Sequence, residues 1–287
     1  MKHAIMVIGH GEDTSIIQET INILDDEDID FFIHWDKRNT RPSLFSRYST
    51  ICLIDSKKVF WGTDSQIMAE LHLMESVNES NITYDYVHLI SSVDMPLMTS
   101  DYFKEYFTRD AYIGFVENIE PESLLRVKYY YPLRNVKLRN PYVFRILTSF
   151  FRNINKLFGI NRIKKSGLEY ERGSNWFSIK TALLPEIIES KNLKYFYHSY
   201  LADEMFVQTI LSRFKFEEKN KFSLGDSAMA LRYIDWNRGA PYLFNENDIP
   251  ELKVNINKQY AFARKISDAT IIKRVFCSKE KNTQLSE

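Results

Sequence analysis

The chain has 287 residues, 44% hydrophobic and 14% aromatic, with 38 basic and 38 acidic side chains that leave it formally neutral. This is enough apolar material for a buried core in one large or two small domains, and it excludes a disordered chain. Cys52 and Cys277 stand far apart without metal-ligand spacing, which argues against a disulfide framework or a zinc site and fits a reducing compartment; no run of 18 apolar residues offers a membrane span.

Residues 4–8 read as a buried first strand; the segment Met1 to His10 lacks the length and cleavage site of a signal peptide. Ser15 to Leu24 has helical spacing, and Asp30 to His34 and Ile51 to Ile54 read as two more strands. A helix from about Ser65 to Val77, with Ile67, Leu71 and Met74 on one face, precedes a fourth strand from Tyr86 to Ile90. This alternation predicts an α/β fold with a mainly parallel central sheet flanked by helices. Ligands of such sheets bind outside the carboxyl ends of the strands, which singles out Gly9-His10-Gly11, His34-Trp35-Asp36-Lys37-Arg38 and Ser91-Ser92-Val93-Asp94.

Farther along, Asp110 to Glu117 and Gly173 to Ile179 read as strands. Asp203 is placed to cap a helix that Glu204 opens, and Met229 to Trp236 reads as a strand before a long loop with Gly239 and Pro241. Between them, residues 126–165 hold eleven of the basic residues and no Asp or Glu, mixed with Tyr129, Tyr130, Tyr131, Phe144, Phe150, Phe151 and Phe158. That composition suits a helical hairpin on an anionic membrane surface; a solvated basic face with its aromatics turned inward is the plainer reading. No nucleic-acid-reading motif accompanies the block, so nucleic acid is not expected as a partner. With no repeat and no low-complexity linker, a single domain over 1–275 is expected, the basic block being a helical insertion and 276–287 a polar tail.

Glu204, left to project from a helix start, is a candidate general base, against the plainer reading of a solvated glutamate. Asp36 follows a strand beside Lys37 and Arg38 and could accept hydrogen bonds from a ribose or base, or simply form a salt-bridged turn. Neither Gly-x-Gly-x-x-Gly nor a Walker loop occurs, so bound phosphates must be held by side chains. A sugar-nucleotide enzyme commonly holds a divalent metal with Asp-x-Asp after a central strand, but here that position reads Ser92-Val93-Asp94, a poor metal site. Asp28-Ile29-Asp30 precedes its strand and lies at the wrong edge. Cations of the C-terminal part, Arg264 and Lys265 with Arg232 and Arg238 behind them, could neutralise a diphosphate instead, though any one of them alone reads as surface charge.

The ordered blocks Phe32-Ile33-His34-Trp35-Asp36-Lys37-Arg38, Phe60-Trp61-Gly62-Thr63-Asp64-Ser65, His88 to Leu97, Gly173-Ser174-Asn175-Trp176-Phe177, Ala202-Asp203-Glu204, Leu231-Arg232-Tyr233-Ile234-Asp235-Trp236 and Phe262-Ala263-Arg264-Lys265 resemble the core-2/I-branching glycosyltransferases. That family comprises metal-independent β-1,6-N-acetylglucosaminyltransferases related to peptide O-xylosyltransferase, and the resemblance runs from about residue 3 to 268. It implies a GT-A-type fold and inverting transfer from a UDP-sugar. Asp36 matches the uridine-contacting Asp, Asp94 the acidic position of an Asp-x-Pro turn near donor and acceptor, and Glu204 the catalytic base. Trp236 matches an aromatic near the acceptor, and Lys265 the lysine that binds the diphosphate. The partner arginine maps to Arg238 or Arg232, the loop after Trp236 being shorter here. Arg38, Ser65 and Arg264 join the expected donor site, and Trp176 the acceptor site. Ala202 stands where the family motif usually has Pro.

The expectation is therefore a cytoplasmic glycosyltransferase without a metal cofactor. It would move a sugar, N-acetylglucosamine first, from a UDP-sugar to a glycan hydroxyl in surface polysaccharide or lipid-linked glycan synthesis, with 126–165 against the inner face of the membrane. The alternatives are a xylosyltransferase-like donor choice, a metal-dependent GT-A transferase using Asp94 and a further carboxylate, and an inactive carbohydrate- or nucleotide-binding module.

Overall fold

In the computed structural model the described residues are 1–137 and 140–277, those at 218–221 by backbone alone. Arg139 of the basic block and residues 278–287 of the expected tail lie outside them. The strands are β1 (His3–Gly9), β2 (Ile29–Trp35), β3 (Ile51–Leu53), β4 (Tyr86–Ser91), β5 (Met95–Pro96), β6 (Ala111–Ile113), β7 (Phe177–Lys180), β8 (Arg232–Ile234) and β9 (Phe262–Arg264). The helices are α1 (Ser15–Leu24), α2 (Ser65–Asn78), α3 (Ser100–Tyr106), α4 (Pro121–Lys128), α5 (Pro141–Leu157), α6 (Arg162–Ser166), α7 (Leu184–Ile188), α8 (Phe206–Ile210), α9 (Asp226–Met229), α10 (Ile249–Val254) and α11 (Ala269–Phe276).

The main sheet runs β3-β2-β1-β4-β7-β6. Its first four strands are parallel, with Gly9 level with Trp35 and Ile8 level with Ser91, so their carboxyl ends share one edge. β1, β2 and β4 are near-continuous apolar runs because helices cover both faces. α1 turns Ile16, Ile17, Ile21 and Leu24 inward, and α2 turns Ile67, Leu71 and Met74 to the other side of the sheet, as the apolar spacing predicts. The fold is a single domain of the GT-A-like mixed α/β kind.

Four expected elements shift. The strands expected over 110–117 and 173–179 are only β6 and β7, and both run antiparallel to their neighbours. The strand expected over 229–236 splits into α9 and the short β8, which joins a second sheet of order β5-β9-β8. The helix expected to open at Glu204 begins at Phe206, leaving Asp203 and Glu204 in the turn before it. Asp203 does not cap that helix, because its side chain is buried against α2, where one carboxylate oxygen accepts from Gln66 Nε2 at 3.2 Å.

A buried polar chain ties the middle of the main sheet together. His3 Nδ1 and His88 Nε2 lie 2.9 Å apart, and His88 Nδ1 lies 2.9 Å from Ser178 Oγ. Burial pushes the His3 imidazole down to about 4 and His88 well below the usual range, so both are neutral at pH 7. Arg232 completes the chain. It donates to Ser178 Oγ at 3.2 Å and to the carbonyls of Ala230, Leu89 and Phe177 at 2.7, 3.1 and 2.7 Å.

Candidate active site

The carboxyl edge of the parallel strands collects Asp36, Arg38, Ser65, Asp94 and Arg264 of the residues expected at the donor site. Where β2 ends, the buried Asp36 carboxylate accepts from the Arg38 backbone N–H at 2.9 Å and Nε at 3.0 Å, and Arg38 Nη2 bonds it as well. The guanidinium also lies over the Phe60 ring at 4.6 Å. This fixes one carboxylate and one cation at the carboxyl end of β2; burial alone would raise the Asp36 carboxyl, but hydrogen bonding to Arg38 holds it below its usual value. Ser65, at the first turn of α2, is buried and accepts from the Phe60 N–H at 2.8 Å, with Thr63 Oγ1 at 2.7 Å, so it shapes the Phe60–Ser65 loop that backs Arg38.

At the end of β4, Asp94 folds back onto its own turn. Its oxygens accept from the Ser91 N–H at 2.8 Å and the Ser91 hydroxyl at 2.7 Å, and from Arg264 Nη1 at 2.7 Å. Arg264 comes from β9, which pairs with β5 immediately after Asp94, and its guanidinium stacks 4.1 Å over the Trp176 ring. Asp94, Arg264 and Trp176, from three distant parts of the chain, thus form one cluster. Lys265 follows Arg264; its backbone carbonyl accepts from the Phe244 N–H at 2.8 Å.

Glu204 sits on the turn before α8, a third exposed, and two arginines hold it. Arg126 Nη1 donates to Oε2 at 2.6 Å and Arg172 Nε to the same oxygen at 3.2 Å, so neither cation engages Oε1. The irregular segment before Trp176 binds this turn, the Gly173 N–H donating to the Glu204 carbonyl at 3.0 Å, and is itself tied to the segment after β6 by the Val116 N–H, which donates to the Arg172 carbonyl at 2.8 Å. A Cβ on Gly173 would lie 1.8 Å from the Gly114 carbonyl oxygen, which is why that position needs glycine. The segment 172–176 therefore carries Arg172 to Glu204 at one end and Trp176 to Arg264 at the other.

Behind Glu204, Asp203 and the fully buried Glu70 of α2 form an acidic pair. Burial, then the charge of Glu204, pushes the Asp203 carboxyl up to about 7; burial, then the charge of Asp203, pushes Glu70 well above the usual carboxylate range.

The remaining expected residues are placed differently. Arg232 is almost wholly buried and spends its Nη groups on backbone carbonyls and Ser178 Oγ; burial pushes its guanidinium down to about 9. Arg238 is committed to carboxylates, bonding Asp235, Asp248 at 2.9 Å and Glu251 at 2.7 Å, with Tyr242 beneath it at 4.3 Å. The short loop after Trp236 is thus closed on itself by Arg238, and of the arginines weighed for a diphosphate Arg264 is the one bonded to the turn after β4. Trp236 is exposed, its indole N–H donating to Ser227 Oγ at 3.2 Å. Arg126 and Arg172 were not anticipated at the site: Arg126 reads in sequence as one more cation of the basic block, and Arg172 lies just outside the Gly173 to Phe177 block. Among the described residues no three His, Cys, Asp or Glu side chains converge as metal ligands.

Comparison with known proteins gives the same picture. The sequence model of the family described as Core-2/I-Branching enzyme matches residues 4–255. A curated relative, Xylosyltransferase oxt of Drosophila melanogaster, is 22% identical over 259 residues, covering 82% of this chain. The chain spans only 28% of that relative's length.

Proposed function

The chain belongs to the Core-2/I-Branching enzyme family, a glycosyltransferase family, and from that premise we propose that it transfers a sugar from a UDP-sugar to a glycan hydroxyl with inversion and without a metal. The observation that carries this reading is the convergence of Glu204, with Oε1 left by both of its arginines, on the same strand-end edge as the Asp94–Arg264–Trp176 cluster.

In the proposed reaction Glu204 Oε1 takes the proton of the acceptor hydroxyl as that oxygen attacks the anomeric carbon from the face opposite the diphosphate. The bond from the anomeric carbon to the diphosphate oxygen breaks in the same displacement, and its electron pair leaves with UDP, so the configuration inverts. Arg264 and Lys265 stabilise the departing diphosphate; the pairing of Asp94 with an arginine supports cationic stabilisation at the position where sugar-nucleotide enzymes commonly hold a metal. Asp36 and Arg38, backed by Ser65, hold the uridine, while Trp176, Trp236 and Asp94 border the acceptor. Arg126 and Arg172 fix the orientation of the base.

N-acetylglucosamine is the proposed sugar, and the product belongs to surface polysaccharide or lipid-linked glycan synthesis at the cytoplasmic face of the membrane. The relative named as a xylosyltransferase favours xylose as the second choice of donor. Release of UDP from a panel of UDP-sugars, with and without EDTA, tests the reading. EDTA-resistant release from one donor, lost in Glu204→Gln with UDP affinity retained, is expected. Release that needs a divalent ion would favour the metal-dependent alternative, turnover by Glu204→Gln would remove the base, and donor binding without any turnover would leave a binding module.

A further inference from the structure

The outer face of α5 has no function in the site just described, and it is unusual for a protein surface. At 3.6 residues per turn, Val143, Ile146, Phe150 and Leu157 fall in one stripe with Tyr142 at its edge. These side chains are open to solvent: Tyr142 is 79% exposed, Ile146 66%, Phe150 55% and Leu157 82%. Phe158 and Ile160 continue the exposed patch past the end of the helix. Single exposed apolar residues are ordinary, whereas a contiguous row of them marks a contact surface.

Loose seating of the helix does not explain the patch. The opposite face packs Phe144, Leu147 and Phe151 against Tyr131, Leu133 and Tyr200, and buried Asn155 accepts from the Tyr130 N–H at 2.8 Å and donates to its carbonyl at 2.9 Å. Orientation is fixed, and the stripe faces outward. Exposed cations accompany it: Arg145 and Lys156 along one flank of α5, and Lys164 and Lys165 on α6, with no acidic residue in the sequence between 126 and 165. A seventeen-residue helix is about 25 Å long, too short to cross the hydrocarbon core, and none of the described helices is long and apolar enough to do so. An exposed apolar row flanked by cations on a helix that cannot cross is the arrangement of an interfacial helix.

A cleft of about 590 Å³ lies along one flank of this helix, between α4 and α5, lined by Arg126, Arg145, Arg152 and Tyr200 and, at the start of α4, by Glu120 and Glu122, the last 3.8 Å from Arg152. Its inner wall is Arg126, the residue that holds Glu204. We infer that the outer face of α5 docks the enzyme on an anionic lipid bilayer, and that the α4–α5 cleft opens at that surface as the route by which a membrane-held acceptor reaches Glu204. The docking stands on the face alone; the route rests on the transferase reading. Charge selects this occupant over a second copy of the chain, since two such basic faces would repel across a two-fold contact, whereas phosphatidylglycerol headgroups complement both the cations and the apolar row.

Co-sedimentation of the full chain with phosphatidylcholine vesicles, with and without phosphatidylglycerol, tests this. Two variants complete the comparison, Ile146→Asp with Phe150→Asp, and Lys156→Glu with Lys164→Glu and Lys165→Glu. Binding to the anionic vesicles alone is expected, weakened by salt and reduced about tenfold or more in each variant, consistent with several lost apolar or cationic contacts. Absence of binding to anionic vesicles, or binding unchanged in both variants, would overturn the inference. So would a dimer in solution that Ile146→Asp with Phe150→Asp dissociates while wild type ignores vesicles, because the face would then belong to a second copy. UDP release with a water-soluble acceptor, measured in parallel, separates the two readings: lost vesicle binding with normal release defeats the docking only, and retained binding with no release defeats the transferase only.

Discussion

The two halves of the candidate site are built differently. On the donor side, Asp36 and Asp94 stand at the ends of fully buried parallel strands, and each carboxylate is locked by its own turn and by one arginine. On the base side, Glu204 stands on a turn between irregular segments and is held by two arginines that arrive from 78 and 32 residues away. Strand ends deliver their side chains through backbone geometry that the main sheet enforces. The base depends on long-range ion pairs for its position, so the two sides should fail in different ways.

The largest expected effect is on the donor side. Asp94→Ala would leave Arg264 nearly buried with its ion pair gone while Trp176 still covers it, at a cost of about 3 kcal/mol or more in stability. Donor affinity should be lost along with turnover, because the cation proposed to stabilise the diphosphate is no longer held. Chemical denaturation and UDP titration check this; a variant as stable as wild type with normal UDP affinity would show that the strand-end turn does not organise the donor side.

A break on the base side should look different. Arg126→Ala removes the shorter of the two bonds to Glu204 without touching the strand-end cluster. A fall of about 10- to 100-fold in kcat is expected from a misdirected base, with the KM for the UDP-sugar nearly unchanged. Steady-state kinetics in both substrates decides it: an equal rise in donor KM would mean that the two halves of the site are coupled, and the contrast drawn between them would dissolve.

That contrast also explains what was legible in the sequence. β1, β2 and β4 announce themselves as unbroken apolar runs, and α1 and α2 as helical stripes, because each buries a face large enough to impose a period. The residues after those strands, Asp36 and Asp94, follow at once from the rule for parallel sheets. The second sheet left no such mark, since β5, β8 and β9 hold two or three residues each. Arg232 misled because a lone arginine reads as surface charge or ligand cation, and nothing local reveals that the carbonyls of Leu89 and Phe177 will surround it. The partners of Glu204 were hidden for the same reason: ion pairs across 78 residues have no period. Asp203 reads as a helix cap because the pattern of a capped helix and that of a buried acid before a helix are identical without the tertiary contact to Gln66.

Asp203 gives the smallest expected effect on turnover and the finest test of how the base turn is held. Its carboxyl is raised by burial, and by the charge of Glu204, from 3.8 to about 7. A carboxyl raised in the folded state contributes stability that is fully present below pH 4 and is lost as pH rises to about 7. His3 and His34, each pushed down mainly by burial to about 4, act in the opposite sense, contributing stability above pH 6.5 that is lost as pH falls towards 4. The stability profile of the wild-type chain therefore mixes both trends, whereas a difference between two proteins that share the histidines does not. Asp203→Asn keeps an acceptor for Gln66 and cannot ionise, so its melting temperature relative to wild type should rise between pH 4 and pH 7 and level off above. Turnover should change by less than about threefold, since the change is a near-isosteric one behind the base. A difference that stays flat across that range would mean that Asp203 ionises as an ordinary carboxyl, and that its burial behind Glu204 does not couple the base turn to pH.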